Sequence, residues 1–147
     1  LSNAFGNAFS GWLHSKGYSS STLITWAALG ISIFGSIVFL VDLPVGIRIA
    51  SALCYGAVGG LVPSSLFASV ILIAPNKASF ATVNGMLAQG SAIGQLAGPP
   101  LVAALFAYTN NWAIAVPLVL AISLACLIGG RHLRKFEGTT ILQTSPS

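Results

Sequence analysis

Residues 78–108 read ASFATVNGMLAQGSAIGQLAGPPLVAALFAY. No Asp, Glu, Lys or Arg occurs among them, and the charge-free run continues to Gly130. A helix needs about 20 mostly apolar residues to cross a hydrocarbon core. Yet this stretch carries Gly90, Gly94 and Gly98, then Pro99 and Pro100, residue types that weaken a helix in water. In a bilayer they are tolerated where neighbouring helices, polar side chains or water attend the freed backbone groups. The stretch therefore reads as a membrane helix with a built-in weak point.

The rest of the chain agrees. Of its 147 residues 55% are hydrophobic and only 5% charged, against about a quarter charged in an ordinary soluble domain. Three more runs are long and apolar: Thr22–Val41, Val45–Ala74 and Trp112–Gly130. The polar YTNNW, Tyr108–Trp112, separates the last two spans. Barrel strands need about 10 residues of alternating polarity, and these runs are apolar throughout. The expected fold is all-α, a polytopic membrane helix bundle. Leu1–Leu13 reads as the end of a further span, so the chain is expected to be a fragment cut at its N-terminal side. The basic stretch after Gly130 reads as a short extramembrane helix, and residues 137–147 as a disordered cytoplasmic tail.

Charge placement orients the layout. Spans alternate direction, so Lys16, Lys77, Arg131, Arg134 and Lys135 fall on one side, with His14. Asp42, Asn110 and Asn111 fall on the other, where Arg48 lies just inside the boundary. Five of the six Lys and Arg thus share a face, and the positive-inside rule makes that face cytoplasmic, with the C-terminus. Trp26, Trp112 and Tyr108 sit near span ends, where interfacial aromatics belong.

Several functions find no support in the composition. The basic residues are too few and scattered for a nucleic-acid footprint. With one Asp (Asp42), one Glu (Glu137) and two histidines (His14 and His132), neither a Ser–His–Asp arrangement nor a carboxylate pair can be assembled. No histidine lies within a span, so neither a haem anchor nor a membrane metal site is expected. Cys54 and Cys126 stand singly in apolar runs and read as small buried packing residues. The reading is therefore not an enzyme, with no cofactor and no metal.

The glycines and prolines carry the functional reading. Gly90, Gly94 and Gly98 form a shallow groove into which a neighbouring helix can settle, as packing or as a sliding surface. Pro99 and Pro100 each remove a donor and crowd the carbonyl four residues back, so a bend is expected between Gln95 and Pro100. Beside the groove, Asn84, Ser91 and Gln95 share a face at spacings of seven and four. They are either interhelical glue or the lining of an aqueous path. The span before repeats the pattern: Tyr55, Gly59 and Pro63 recur every four residues, with Gly60 and Ser64 beside them. A straight helix over Val45–Ala74 would run ~45 Å, longer than the ~30 Å core, so tilt and a bend near Gly59–Pro63 are expected. Two adjacent Gly/Pro-interrupted spans point to a transporter site between mobile helices. Arg48 reads as a snorkelling interface residue or an anion-attracting charge at the outer mouth.

The order GWLHSKG, a span, GLVPSSLFASV, GMLAQGSAIGQLAGPPLVAAL, a last span and a basic tail resembles the C-terminal half of a major facilitator superfamily transporter, over about Phe5–Phe136. Gly11, Leu13, Lys16 and Gly17 match the skeleton of the family's loop motif between helices eight and nine, without its acidic residue. Gly94–Pro100 is similar to the family's glycine–proline motif. The resemblance implies helices eight (its end) to twelve of a twelve-helix permease. It implies secondary transport of a small solute by alternating access, with the N-terminal half of the same transporter and the bilayer as partners, in a bacterial inner membrane. It places Tyr55, Pro63 and Ser64 on a cavity-lining helix and Asn84, Ser91 and Gln95 at the interface of two bundles. The rival reading is a small four-helix membrane scaffold, or a subunit of a membrane complex, with no transport of its own. No ionisable group lies deep in these spans, so in either reading proton coupling would need a group outside them.

Overall fold

The structure, a computed structural model, describes residues 1–39, 43–73 and 76–143; the side chains at 72, 73, 77, 78 and 136–143 fall outside that description. The described residues form α1 (Ser2–Ser15), α2 (Ser20–Phe39), α3 (Val45–Ile73), α4 (Lys77–Thr109) and α5 (Ala115–Gln143), with a 3₁₀ turn at Trp112–Ile114 before α5. No strand occurs among them. Helices α2 to α5 are each long and apolar enough to cross a membrane, so the all-α, membrane-type architecture expected from composition holds.

Helix limits follow the sequence reading closely, except at α5. The expected span ends Val41 and Ala74, and Asp42, lie outside the described residues. α1 is a 14-residue helix, at ~1.5 Å per residue about 21 Å long and shorter than the ~30 Å core. α5 continues without a break to Gln143, where a separate short helix after Gly130 and an unstructured tail from Glu137 were expected; residues 144–147 lie outside the description. Loss of hydrophobicity ends a membrane crossing but not a helix, and Arg131–Glu137 is rich in helix formers. α3 passes through Pro63, and α4 through Pro99 and Pro100, as unbroken helices.

Local chemistry sets the turns. α1 ends in a Schellman motif: Tyr18 N–H donates to Leu13 O at 3.2 Å and Gly17 N–H to His14 O at 2.9 Å. Gly17 takes φ +89°, which only glycine adopts without strain. Gly17→Ala is expected to cost about 1–2 kcal/mol, read as a lowered thermal unfolding midpoint in detergent. The α4 N-terminus is capped by Asn76, whose Oδ1 accepts from Ser79 N–H at 2.8 Å. Its C-terminus ends on Asn110 at φ 50°, a residue type that tolerates left-handed backbone. Asn111 Oδ1 then accepts from Ala113 N–H at 2.9 Å and starts the 3₁₀ turn, while Trp112 stacks on Phe106 at 4.2 Å. The YTNNW break is therefore two asparagine caps back to back. Trp26, near the start of α2, packs on Tyr18 at 5.4 Å.

Contacts give the helix directions. Asn3, Gly6 and Ser10 of α1 meet Gly56, Ala57 and Ser65 of α3, so the two run parallel. Gly30 and Gly35 of α2 meet Val58 and Tyr55 of α3, an antiparallel pairing. Gly35 and Ser21 of α2 meet Val119 and Gly130 of α5, also antiparallel. α2 is thus central, with Leu23, Ile24, Ala27, Ala28 and Ile31 as its buried stripe.

Small residues let these helices close. A methyl on Gly30 would stand 2.6 Å from Val58 Cγ1, and one on Gly35 2.7 Å from Val119 Cγ1. On α1 and α3 the approach reaches backbone: a methyl on Gly6 would overlap the Ala57 carbonyl, and one on Gly60 the Asn3 carbonyl. Ser10 and Ser65, both fully buried, share a hydrogen bond of 3.3 Å between their hydroxyls. In lipid, where apolar burial gives helices no preference for one another, such close van der Waals contact is what holds them.

α4 differs from the rest. None of its described side chains is buried. It lies alongside α3 and α5 without closing on them, and the space between is the crevice described next.

Candidate functional site

Two adjoining cavities, of about 710 Å³ and about 580 Å³, separate α4 from the other helices. They share Val62, Leu66, Leu87, Ile122 and Cys126, and so form one crevice. α3 supplies Gly59, Pro63 and Phe67 to its wider part, and Ser69 and Val70 to its narrower part. α4 supplies Met86, Gly90, Ser91 and Gln95 to the wider part and Val83 to the narrower. α5 continues the wall with Ala125, Gly129, His132 and Leu133. The contributions of α5 recur at three and four residues, one helical face.

The crevice is apolar with a few polar groups in its wider part. Gln95 Nε2 donates to Ser91 Oγ at 3.0 Å, one turn away on α4. That bond fixes the amide orientation and leaves Gln95 Oε1 as an acceptor and the Ser91 hydroxyl hydrogen as a donor. Across the gap, Pro63 has no N–H, so the Gly59 carbonyl four residues earlier lacks its helical donor. Glycine presents nothing but backbone, and Gly59 lines the wall. Pro99 likewise removes the donor for the Gln95 carbonyl. Asn3 of α1 closes one end, with its Nδ2 donating to Gly56 O at 3.4 Å. Among the described residues no acidic, lysine or arginine side chain lines either part, and His132 is the one histidine, in the narrower part.

The sequence-derived candidates divide accordingly. Gly59, Pro63, Gly90, Ser91 and Gln95 come together on the crevice. Tyr55 does not join them: its ring packs toward Gly35 of α2, where a methyl would stand 3.0 Å from Cε2. Ser64 donates its hydroxyl to Leu61 O at 3.3 Å. Asn84 lies off the lining, with its Oδ1 shielded and without a hydrogen-bond partner among the described residues. Arg48 is half-buried in the first turn of α3, about three turns before Gly59. Gly60 belongs to the α1 contact. Pro99 and Pro100 are exposed.

The glycine groove is present but has no neighbour seated in it. A methyl on Gly90, Gly94 or Gly98 would meet nothing within 4 Å. Close packing occurs instead through Gly6, Gly56 and Gly60. Gly6 and Gly56 were not singled out from sequence, though a signal exists: Ser2, Gly6 and Ser10 recur every four residues, as do Gly56 and Gly60. Met86, Ile122 and Cys126 of the crevice were also missed, since apolar residues in an apolar run carry no mark. The cysteines correct an expectation of burial: Cys54 is exposed and Cys126 half-buried at the crevice. Neither is packed into a core: Cys54 lies on the exposed surface of α3 and Cys126 lines the crevice. Among the described residues no three His, Cys, Asp or Glu gather as metal ligands would.

Compared with protein-family models, curated proteins and solved structures, the chain finds no match.

Proposed function

We propose that this chain is part of the C-terminal half of a major facilitator type permease, which moves a small organic solute across a membrane by alternating access. In this reading α4 moves against α3 and α5, and the crevice between them is part of the solute path. One observation carries it: α4 faces a crevice of drug-sized volume, Gly90 at the head of its glycine ridge lines that crevice, and none of its described side chains is buried. A ridge without side chains can slide or close without interlocked groups having to separate. The weakened backbone bonds at Pro63 and at Pro99–Pro100 put bendable points beside the path. The N-terminal half of the carrier would cover the remaining faces, and the basic end of α5 would lie on the cytoplasmic side of a bacterial inner membrane.

The test is uptake by the full-length protein in liposomes, with a panel of small organic solutes and imposed proton or sodium gradients. Accumulation of at least one solute above protein-free liposomes is expected, together with seven further spans and the start of an eighth encoded upstream of Leu1. No accumulation of any solute under any gradient, or a parent gene that begins just before Leu1, would favour the scaffold reading instead.

A further inference from the structure

The lining of the crevice also limits what can occupy it. We infer that the wider part, between α3 and α4, binds an uncharged, largely apolar organic solute that donates hydrogen bonds to Gln95 Oε1 and the Gly59 carbonyl. This rests on the transport reading only for the solute being cargo; the binding claim stands on the crevice itself.

Three observations lead to it. The volume, about 710 Å³, falls in the range of pockets that enclose drug-sized molecules, mostly apolar with a few placed polar groups. Its walls are apolar wherever Val62, Leu66, Phe67, Met86, Leu87 and Ile122 stand. A charged solute would lose its hydration there with no opposite charge to replace it, since no Asp, Glu, Lys, Arg or His among the described residues lines this part. The third observation sets the hydrogen-bond polarity. The Gln95 amide spends a donor on Ser91, which turns its Oε1 toward other partners. Pro63 deprives the Gly59 carbonyl of its helical N–H. Gly59 and Gln95 both line this part, and once a solute displaces water from it an acceptor left without a donor is costly. A solute N–H or O–H satisfies them, and its apolar body fills the rest. The Ser91 hydroxyl remains as a donor for an acceptor on the same solute, so a primary carboxamide matches the set.

The experiment uses four tritiated compounds that share a biphenyl body and differ in the head group: primary carboxamide, N,N-dimethylcarboxamide, carboxylate and trimethylammonium. Binding to the full-length protein in detergent is measured by scintillation proximity. The primary carboxamide is expected to bind about tenfold tighter than the dimethyl form, which can donate to neither acceptor, and tighter still than either ion. Gln95→Leu should cut that difference to about threefold, the share left to the Gly59 carbonyl, and leave the dimethyl compound's affinity within about twofold. Equal or tighter binding of carboxylate or trimethylammonium would overturn the inference, as would an unchanged carboxamide preference in Gln95→Leu, or no binding by any of the four. The transport reading fails separately. Carboxamide binding without accumulation of any solute sinks transport and keeps the site. Accumulation of a charged solute that the carboxamide does not inhibit keeps transport and sinks the site.

Discussion

Gly6→Ala is expected to destabilise this protein, although the same change normally strengthens a helix by about 1 kcal/mol. The new methyl would overlap the Ala57 carbonyl oxygen, a backbone group of α3 that cannot rotate away. α1 must then shift outward, which lengthens the Ser10–Ser65 hydrogen bond at 3.3 Å and opens the contact of Gly60 with Asn3. Overpacking of this kind costs about 1–3 kcal/mol. On the same helix, a methyl on Gly11 would meet nothing within 4 Å, so Gly11→Ala should stabilise. Opposite signs at two glycines five residues apart, read as thermal unfolding midpoints in detergent, are the result to look for. A second readout is cross-linking of Ser10→Cys with Ser65→Cys after Cys54 and Cys126 are changed to Ser. The disulfide should form in the parent and lose yield with Gly6→Ala. If both alanines stabilise and the cross-link is unaffected, α1 does not lie on α3 as described.

Filling the crevice should abolish transport without unfolding the protein. Gly90 lines the wide part of the crevice, and a methyl placed there meets nothing within 4 Å. A Phe at this position has room in the resting structure and occupies the solute's space. It also puts a bulky group on the ridge that α4 would present to α3 on closing. Gly90→Phe is therefore expected to reduce uptake at least tenfold, or about 1.4 kcal/mol and more in transition free energy, with an unfolding midpoint equal to the parent's. Gly46→Phe is the matched control: Gly46 has the same open surroundings and no place on the crevice. Full uptake in Gly90→Phe would remove α4 from the path; equal loss in Gly46→Phe would mean that bulk anywhere on the surface is harmful.

The two substitutions separate what the sequence could and could not convey. Gly90–Gly94–Gly98 and Gly56–Gly60 carry the same spacing of small residues. The first faces open space, and the second forms part of the seam with α1. The pairing of Ser91 with Gln95 was legible, because a spacing of four on a helix brings side chains together whatever surrounds them. The pairing of that stripe with Gly59 and Pro63 was legible as a theme, two proline-interrupted helices in succession. Tyr55 shares the spacing of Gly59 and Pro63, and Ser64 stands beside that series, but they turn to α2 and to the backbone of α3 itself. Nothing in a four-residue period tells which edge of a helix face meets a neighbour and which meets a gap.

The number of long helices, the limits of α2 to α4 to within a few residues and the polar break at Tyr108–Trp112 were legible in the sequence alone. Each depends on properties local to the chain: the hydropathy of about 20 residues, the backbone preferences of glycine and asparagine, and the reach of a short side chain to a nearby N–H. Which glycines touch, that α2 is central, and that α4 stands off to leave a crevice were decided only in the tertiary structure. Lipid and neighbouring helices are nearly equivalent solvents for an apolar face, so hydrophobicity cannot choose between them. Close backbone approach makes that choice, and it depends on where the partner helix lies.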